Sequence, residues 1–152
     1  MNNSWDKVLF PLFLSSLSSC TLASYTDDEL NRELNNLAIR AIARFRFPRI
    51  SLQWVSDENG YNSFINTEVS IKEIDVIVSW MKVFWLEYQL SKERNYENLY
   101  ADKDVKAFSS GNLISSIVKA LNEMTLQARK AEEFYYRADN DGNATIGDVN
   151  NE

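Results

Sequence analysis

The chain has 152 residues, of which 45% are hydrophobic and 25% charged, which is typical of a globular protein large enough for one domain with a core. Its net charge of −6 argues against general nucleic-acid binding, which needs Lys and Arg to neutralise phosphates. The sequence contains no histidine and one cysteine, which excludes Ser-His and Cys-His nucleophile pairs, an internal disulfide and a Cys-rich zinc site.

The apolar segment at the start of the chain, residues 1–25, has two interpretations. Its run VLFPLFLSSLSSC ends at Cys20 and is similar to the export signal of a bacterial lipoprotein, in which Cys20 carries the lipid. However, the charges of Asp6 and Lys7 cancel, Pro11 interrupts the apolar run, and the run is too short to span a membrane. We therefore expect a short helix or extended arm that packs on the core or on a neighbouring subunit.

Residues 26–45 are predicted to form the first main helix. Thr26 and Glu29 have the spacing of a capping box, in which each side chain accepts a hydrogen bond from the backbone of the other residue. Pro48 bars continuation, because the residue before a proline is disfavoured in the α region. Apolar residues at spacings of three and four form one face, namely Leu30, Leu34, Leu37, Ala38, Ala41, Ile42 and Phe45.

A loop-rich insertion, residues 49–66, follows this helix. Ile50, Leu52 and Trp54 alternate with polar residues, and Asn59-Gly60 is a turn signal. This pattern is typical of a short β-hairpin.

Residues 70–94 are predicted to form a long central helix, which opens on a second capping box, Ser70 with Glu73. Apolar residues occupy most of its positions from Ile71 to Leu90. A helix that is apolar over so much of its circumference must be covered from more than one direction. We expect it to be the core of the subunit, with a face that carries Ile74, Val78, Trp85 and Tyr88.

Residues 95–108 are polar and are predicted to contain a connecting loop. A long final helix is expected from Ser109 or Ser110 to Ala138, followed by a flexible or extended tail, residues 139–152. The predicted fold is thus all-α, a small helical bundle whose single domain covers residues 26–138. The apolar face of the final helix consists of Ile114, Ile117, Val118, Leu121, Met124, Thr125, Ala128, Ala131 and Tyr135.

The tail DNDGNATIGDVNNE partly matches a calcium-binding loop that starts at Asp139. The match fails because Ala144 stands where the sharp turn needs glycine, and Asn150 stands where a bidentate glutamate is needed. No other cluster suggests a metal, a cofactor or a catalytic constellation, so the sequence indicates a protein that is not an enzyme.

Four arginines are concentrated in RAIARFRFPR: Arg40, Arg44, Arg46 and Arg49. One interpretation is favourable charge near the C-terminus of a helix. The other is a surface for an acidic or phosphate-bearing partner, because the planar guanidinium group suits both ligands.

Three stretches together resemble the head–tail connector, or adaptor, proteins of tailed bacteriophages. They are YTDDELNRELNNLAIRAIARFRFPRISL, SIKEIDVIVSWMKVFWLEYQL and DKDVKAFSSGNLISSIVKALNEMTLQARKAEEFYYR, and they cover roughly Tyr25 to Arg137. The order and spacing of the stretches carry the resemblance, and DKDVKAFSSGN is its most specific part.

The resemblance implies a virion protein that forms a ring, typically of twelve copies, between the portal and the tail or the next neck component. It implies that the protein is present in the host cytoplasm during assembly, and that DNA passes through the ring without specific binding. No membrane association is expected. The alternative that the sequence leaves open is an exported bacterial lipoprotein with a helical binding domain.

Connector proteins of this kind hold the portal with a segment outside the helical core. The candidate here is the tail, in which Thr145, Ile146 and Val149 suit a short strand that adds to an exposed portal strand. The segment Arg40–Arg49 is the next candidate.

Overall fold

The computed structural model describes residues 3–17, 25–100 and 107–140, with side chains for residues 3–17, 25–95 and 112–138. The fold is all-α with one small antiparallel hairpin, which confirms the predicted fold class. In chain order the elements are α1 (Trp5–Val8), α2 (Phe10–Ser16), α3 (Asp27–Arg44), β1 (Trp54–Ser56), β2 (Asn62–Phe64), α4 (Ile71–Tyr100) and α5 (Ala107–Asn140).

Capping residues set the starts of α3 and α4. At α3, Thr26 Oγ1 accepts from the Glu29 N–H at 3.3 Å, and the Glu29 carboxylate accepts from the Thr26 N–H at 3.0 Å, so the predicted capping box is confirmed. At α4, the Glu73 carboxylate accepts from the Ser70 N–H at 2.8 Å, and Ser70 Oγ accepts from the Lys72 N–H at 3.3 Å. One of the two hydrogen bonds of the predicted capping box is therefore present, and the serine hydroxyl accepts from the N–H one residue earlier than the box requires.

The central helix α4 is covered from two directions within one chain. It packs against α5, α3 and α2. Val76, Ile77 and Met81 are consequently almost inaccessible to solvent. The sequence predicted that this helix would be covered from more than one direction. The helices of the same chain are sufficient to cover it in this way.

The N-terminal helices α1 and α2 fill part of the same core. Trp5, Leu9 and Phe13 are fully buried. The ring centroids of Trp5 and Trp54 are 5.3 Å apart. The rings of Phe13 and Trp85 pack edge to face, with centroids 6.4 Å apart. Residues 18–24, which include Cys20, lie outside the described residues.

The hairpin sits where the alternating residues and the Asn59-Gly60 turn predicted it. Gly60 has a φ of +79°, the left-handed conformation that glycine adopts without steric cost. The Asp57 carboxylate accepts from the N–H groups of Asn59 and Tyr61, both at 2.9 Å, and so fixes the turn. Ser4 forms an isolated bridge to Ser63 on the other side of β2.

The connection between the two long helices is shorter than predicted. The helix α4 continues to Tyr100, although residues 95–108 were expected to contain the loop, and α5 begins at Ala107 rather than at Ser109 or Ser110. Polarity suggested a loop from residue 95 onward, but residues 91–100 contain neither glycine nor proline, so they contain no residue that would end α4 earlier. The helix α5 ends at Asn140, two residues beyond the predicted Ala138, a difference no larger than the one or two residues over which helix ends fray.

Candidate partner-binding surfaces

Two of the four clustered arginines pack against aromatic rings of the same chain. The guanidinium carbon of Arg40 lies 4.2 Å from the centroid of Phe84, and that of Arg44 lies 4.3 Å from the centroid of Trp80. Arg40 also forms an ion pair with Glu87 at 3.1 Å. These contacts hold α3 on α4, and each cation–π contact at a partly exposed site contributes about 0.5–1 kcal/mol. Arg40 and Arg44 thus have an intramolecular role that the sequence did not predict.

Arg49 takes part in a joint between the segment after α3 and the last turns of α5. Its backbone N–H donates to Tyr135 Oη at 3.1 Å, and its Nη2 donates to the carbonyl oxygen of Tyr136 at 2.8 Å. The Tyr135 hydroxyl also forms a hydrogen bond with the carboxylate of Glu73 at the start of α4. The segment after α3, the start of α4 and the last turns of α5 are therefore joined by hydrogen bonds at Tyr135.

The electrostatics of this joint favour its hydrogen bonds. Burial acts to raise the pKa of Glu73, but hydrogen bonds from Ser70 and from Tyr135 outweigh it, so the pKa of this carboxyl lies below its ordinary value. Burial, reinforced by the neighbouring Glu73, raises the pKa of Tyr135. At neutral pH the carboxylate is charged and the tyrosine keeps the proton that it donates. The arrangement is that of a structural joint.

The next two residues after Phe45 point to solvent. Arg46 is exposed, and Phe47 has 71% of its surface accessible. Of the clustered arginines, Arg46 is therefore the one whose surroundings best suit contact with another molecule. The sequence reading overlooked Phe47, although an aromatic residue placed between two arginines is a signal that could have identified it.

The side of α5 that faces away from α4 carries large apolar side chains. Leu126 and Phe134 lie eight residues apart on this side with the charged Lys130 between them, and we call these three residues the α5 outer stripe. Leu126 is 54% exposed and Phe134 is 72% exposed. On the opposite side, Ala128 and Tyr135 are buried.

A second apolar surface lies at the hairpin. An open groove of about 550 Å³, which we call the hairpin groove, is lined by Ile42, Leu52, Gln53, Trp54 and Ile65. Val55, the next residue along β1, is also exposed. The groove contains no charged side chain, so it suits an apolar occupant.

The three tail residues predicted to bind the portal, Thr145, Ile146 and Val149, lie outside the described residues. Among the residues that are described, no cluster of three acidic, cysteine or histidine side chains could hold a metal ion. None of the helices in that same part of the chain is both long enough and apolar enough to cross a membrane.

No family model matches the chain, and no curated protein or solved structure is significantly similar to it.

Proposed function

We propose that this protein is a structural, non-enzymatic subunit of the neck of a tailed bacteriophage. It forms a ring between the portal and the tail or the next neck component, and this ring extends the DNA channel. One observation carries the proposal beyond the resemblance in sequence. A single chain leaves apolar side chains exposed at two different places, namely Leu126 and Phe134 of the α5 outer stripe and the side chains of the hairpin groove.

Two different surfaces are what a ring requires. In a head-to-tail assembly, one patch of each subunit contacts a different patch of the next, and the ring closes if the rotation between subunits allows it. The apolar faces of α4 do not supply these patches, because α2, α3 and α5 already cover them. The outer surfaces of α5 and of the hairpin remain as the surfaces for neighbouring copies.

The remaining partners follow from the resemblance. A dodecameric ring binds the portal protein on one side and the next neck or tail component on the other. The net charge of −6 suits a channel through which DNA slides without specific binding. The exposed pair of Arg46 and Phe47 offers the portal a contact besides the tail. No cofactor is required for this role.

The test is assembly of variants on portal-bearing heads. Phe134→Ser and Leu126→Ser remove apolar surface from the α5 outer stripe, and Leu12→Ser is the matched control because Leu12 is a partly exposed leucine on α2. We expect all three to keep the helical circular dichroism of the wild type. Electron microscopy should show rings with the control and reduced occupancy with the two α5 variants. Normal occupancy with both α5 variants would contradict the proposed interface.

The lipoprotein alternative makes a different prediction about the N-terminal segment. Processing before Cys20 would remove Trp5, Leu9 and Phe13, whose side chains are fully buried in the core. Intact-mass measurement of the protein isolated from the cells that produce it distinguishes the two functions. A virion protein retains the first nineteen residues, whereas a lipoprotein loses them and gains acyl mass at Cys20.

A further inference from the structure

A polar cleft, which we call the α3–hairpin cleft, lies between α3 and the hairpin. Its volume of about 310 Å³ is near the lower limit for small-molecule sites. On the hairpin side, Ser56 and its strand partner Asn62 line the cleft together with Trp54. On the other side, the lining residues recur along α3 at spacings of three and four and so share one face of the helix. They are Asp28, Asn31, Arg32, Asn35, Asn36 and Ile39.

Hydrogen bonds fix the buried part of this cleft. Asn62 is 6% exposed, and its Nδ2 donates to Asn35 Oδ1 at 2.9 Å. The Asn62 Oδ1 accepts from the Ser56 hydroxyl, and Asn35 Nδ2 donates to the carbonyl oxygen of Asn31 at 2.9 Å. These bonds determine the orientation of both amides, so the polar groups of this part are positioned before any ligand binds.

The outer part of the cleft has polar groups that remain available to a ligand. Asp28, Arg32 and Asn36 are exposed, and within the part of the chain that the structure describes their side chains form no hydrogen bond. The charges of Asp28 and Arg32 cancel, so the cleft has no net charge that would select an anion or a cation. An apolar ligand would leave these groups without hydrogen-bond partners, which is unfavourable.

The remaining class of ligand is neutral and polar. Side-chain amides offer both donors and acceptors, as hydroxyl groups require. The Trp54 ring is 36% exposed and packs on that of Trp5 at 5.3 Å, so it offers a positioned aromatic surface for the C–H groups of a sugar. We propose that the α3–hairpin cleft binds a neutral sugar, whose ring packs on Trp54 and whose hydroxyl groups form hydrogen bonds with Arg32 and Asn36.

This site is separate from the surfaces proposed for neighbouring copies. Trp54 also lines the hairpin groove, but the other lining residues of the groove and of the cleft differ. Sugar binding does not depend on the ring, because it concerns the free subunit. In a ring the cleft would be repeated in every subunit, and many weak sites would give avidity for a surface that carries many sugars.

Nuclear magnetic resonance of the free, full-length protein tests the proposal. The protein is titrated with glucose, galactose, mannose and N-acetylglucosamine, and with glycerol and inorganic phosphate for comparison. At least one sugar should shift the side-chain amide signals of Asn31 and Asn36 and the indole signal of Trp54 in a saturable way. Glycerol, which has hydroxyl groups but no ring, and phosphate, which is an anion, should not.

Variants of exposed residues locate the site. Asn36→Ala and Arg32→Ala should each raise the Kd for that sugar at least about fivefold, because each removes a hydrogen bond to it. Asn95→Ala is the matched control, since Asn95 is an exposed helical asparagine of α4 outside the cleft, and it should bind as the wild type does.

The absence of saturable shifts at these signals with every sugar of the panel would overturn the proposal. Glycerol binding as tightly as the sugars, or phosphate binding more tightly than all of them, would also overturn it, because the ligand would then not be a neutral sugar. An unchanged Kd in both cleft variants would place the sugar elsewhere and contradict the assignment. None of these results bears on ring assembly, which is measured separately on portal-bearing heads.

Discussion

The two long helices differ in how completely one chain covers them. In α4, Val76, Ile77, Met81 and Trp85 are buried, and α5, α3 and α2 all pack against this helix. In α5, residues of the predicted apolar face such as Ile117 and Leu121 are only half-buried, while Phe134 on the other side is largely exposed. A helix with neighbours on two sides determines the stability of the subunit, whereas a helix with a neighbour on one side has a free surface for other molecules.

The largest effect is expected from a cavity in α4. Trp85→Ala removes a buried ring that packs against Phe13 and Tyr88, and it should lower the free energy of unfolding by about 3–5 kcal/mol. Chemical denaturation measures this change. Phe134→Ala on α5 is the control, and it should change stability by less than about 0.5 kcal/mol. A loss below about 1 kcal/mol for Trp85→Ala would show that α4 is not the core.

The joint at Glu73 should make a smaller, pH-dependent contribution. Because the pKa of the folded carboxyl lies below its ordinary value of 4.5, its charged form stabilises the fold. This contribution is complete above the unfolded pKa and is lost as the pH falls through the folded pKa. At neutral pH, Glu73→Gln should lose about 1.5 kcal/mol through its weaker hydrogen bonds.

The difference between wild type and Glu73→Gln should therefore shrink as the pH is lowered from 7 to below 4.5. Denaturation curves of both proteins at several pH values measure it. A difference that stays constant over this range would mean that the charge of Glu73 does not support the joint.

Substitutions of the clustered arginines should differ in their effect on stability, according to whether the side chain packs within the chain or points to solvent. Arg44→Ala removes the contact with Trp80 and should cost about 1 kcal/mol through lost cation–π attraction and packing. Arg46→Ala alters an exposed side chain and should leave stability within about 0.5 kcal/mol. Thermal melts of the two variants make the comparison. Equal losses would contradict the distinction between internal and exposed arginines.

Local signals predicted much of this fold from the sequence. The caps at Thr26 and Ser70, the turn at Asn59-Gly60 and the apolar spacing of the helices each depend on residues close in the chain. The sequence did not predict that α4 continues to Tyr100, because a run of polar residues is typical of a loop. A solvent-exposed helix tolerates the same residues, so polarity alone does not distinguish the two.

The candidate surfaces were harder to predict, because they depend on which elements become neighbours. The contacts of Arg40 with Phe84 and of Arg44 with Trp80 join residues about forty positions apart, and no local pattern indicates them. The pairing of Ser4 with Ser63 of β2 likewise joins residues that are far apart in the sequence. Sequence spacing identified the arginines, and their surroundings in three dimensions determine which of them reach a partner.

Of the substitutions considered, Phe134→Ser should have the smallest effect on the stability of the subunit and the largest effect on ring assembly. Phe134 is exposed in the single chain, so Phe134→Ser should melt within a few degrees of the wild type. If a neighbouring copy covers this side chain, the variant should nevertheless fail to form rings in native mass spectrometry of portal complexes. A variant that forms rings as readily as the wild type would place the interface elsewhere.

Hydroxyl-radical footprinting of Phe134 in assembled necks tests the central claim most directly. In the free protein the ring is 72% exposed and should be oxidised readily. In necks that electron microscopy shows to contain a closed ring, its oxidation should fall at least about tenfold, because burial in an interface excludes water. Unchanged oxidation of Phe134, or necks with a single copy or an open filament in place of a ring, would contradict the account.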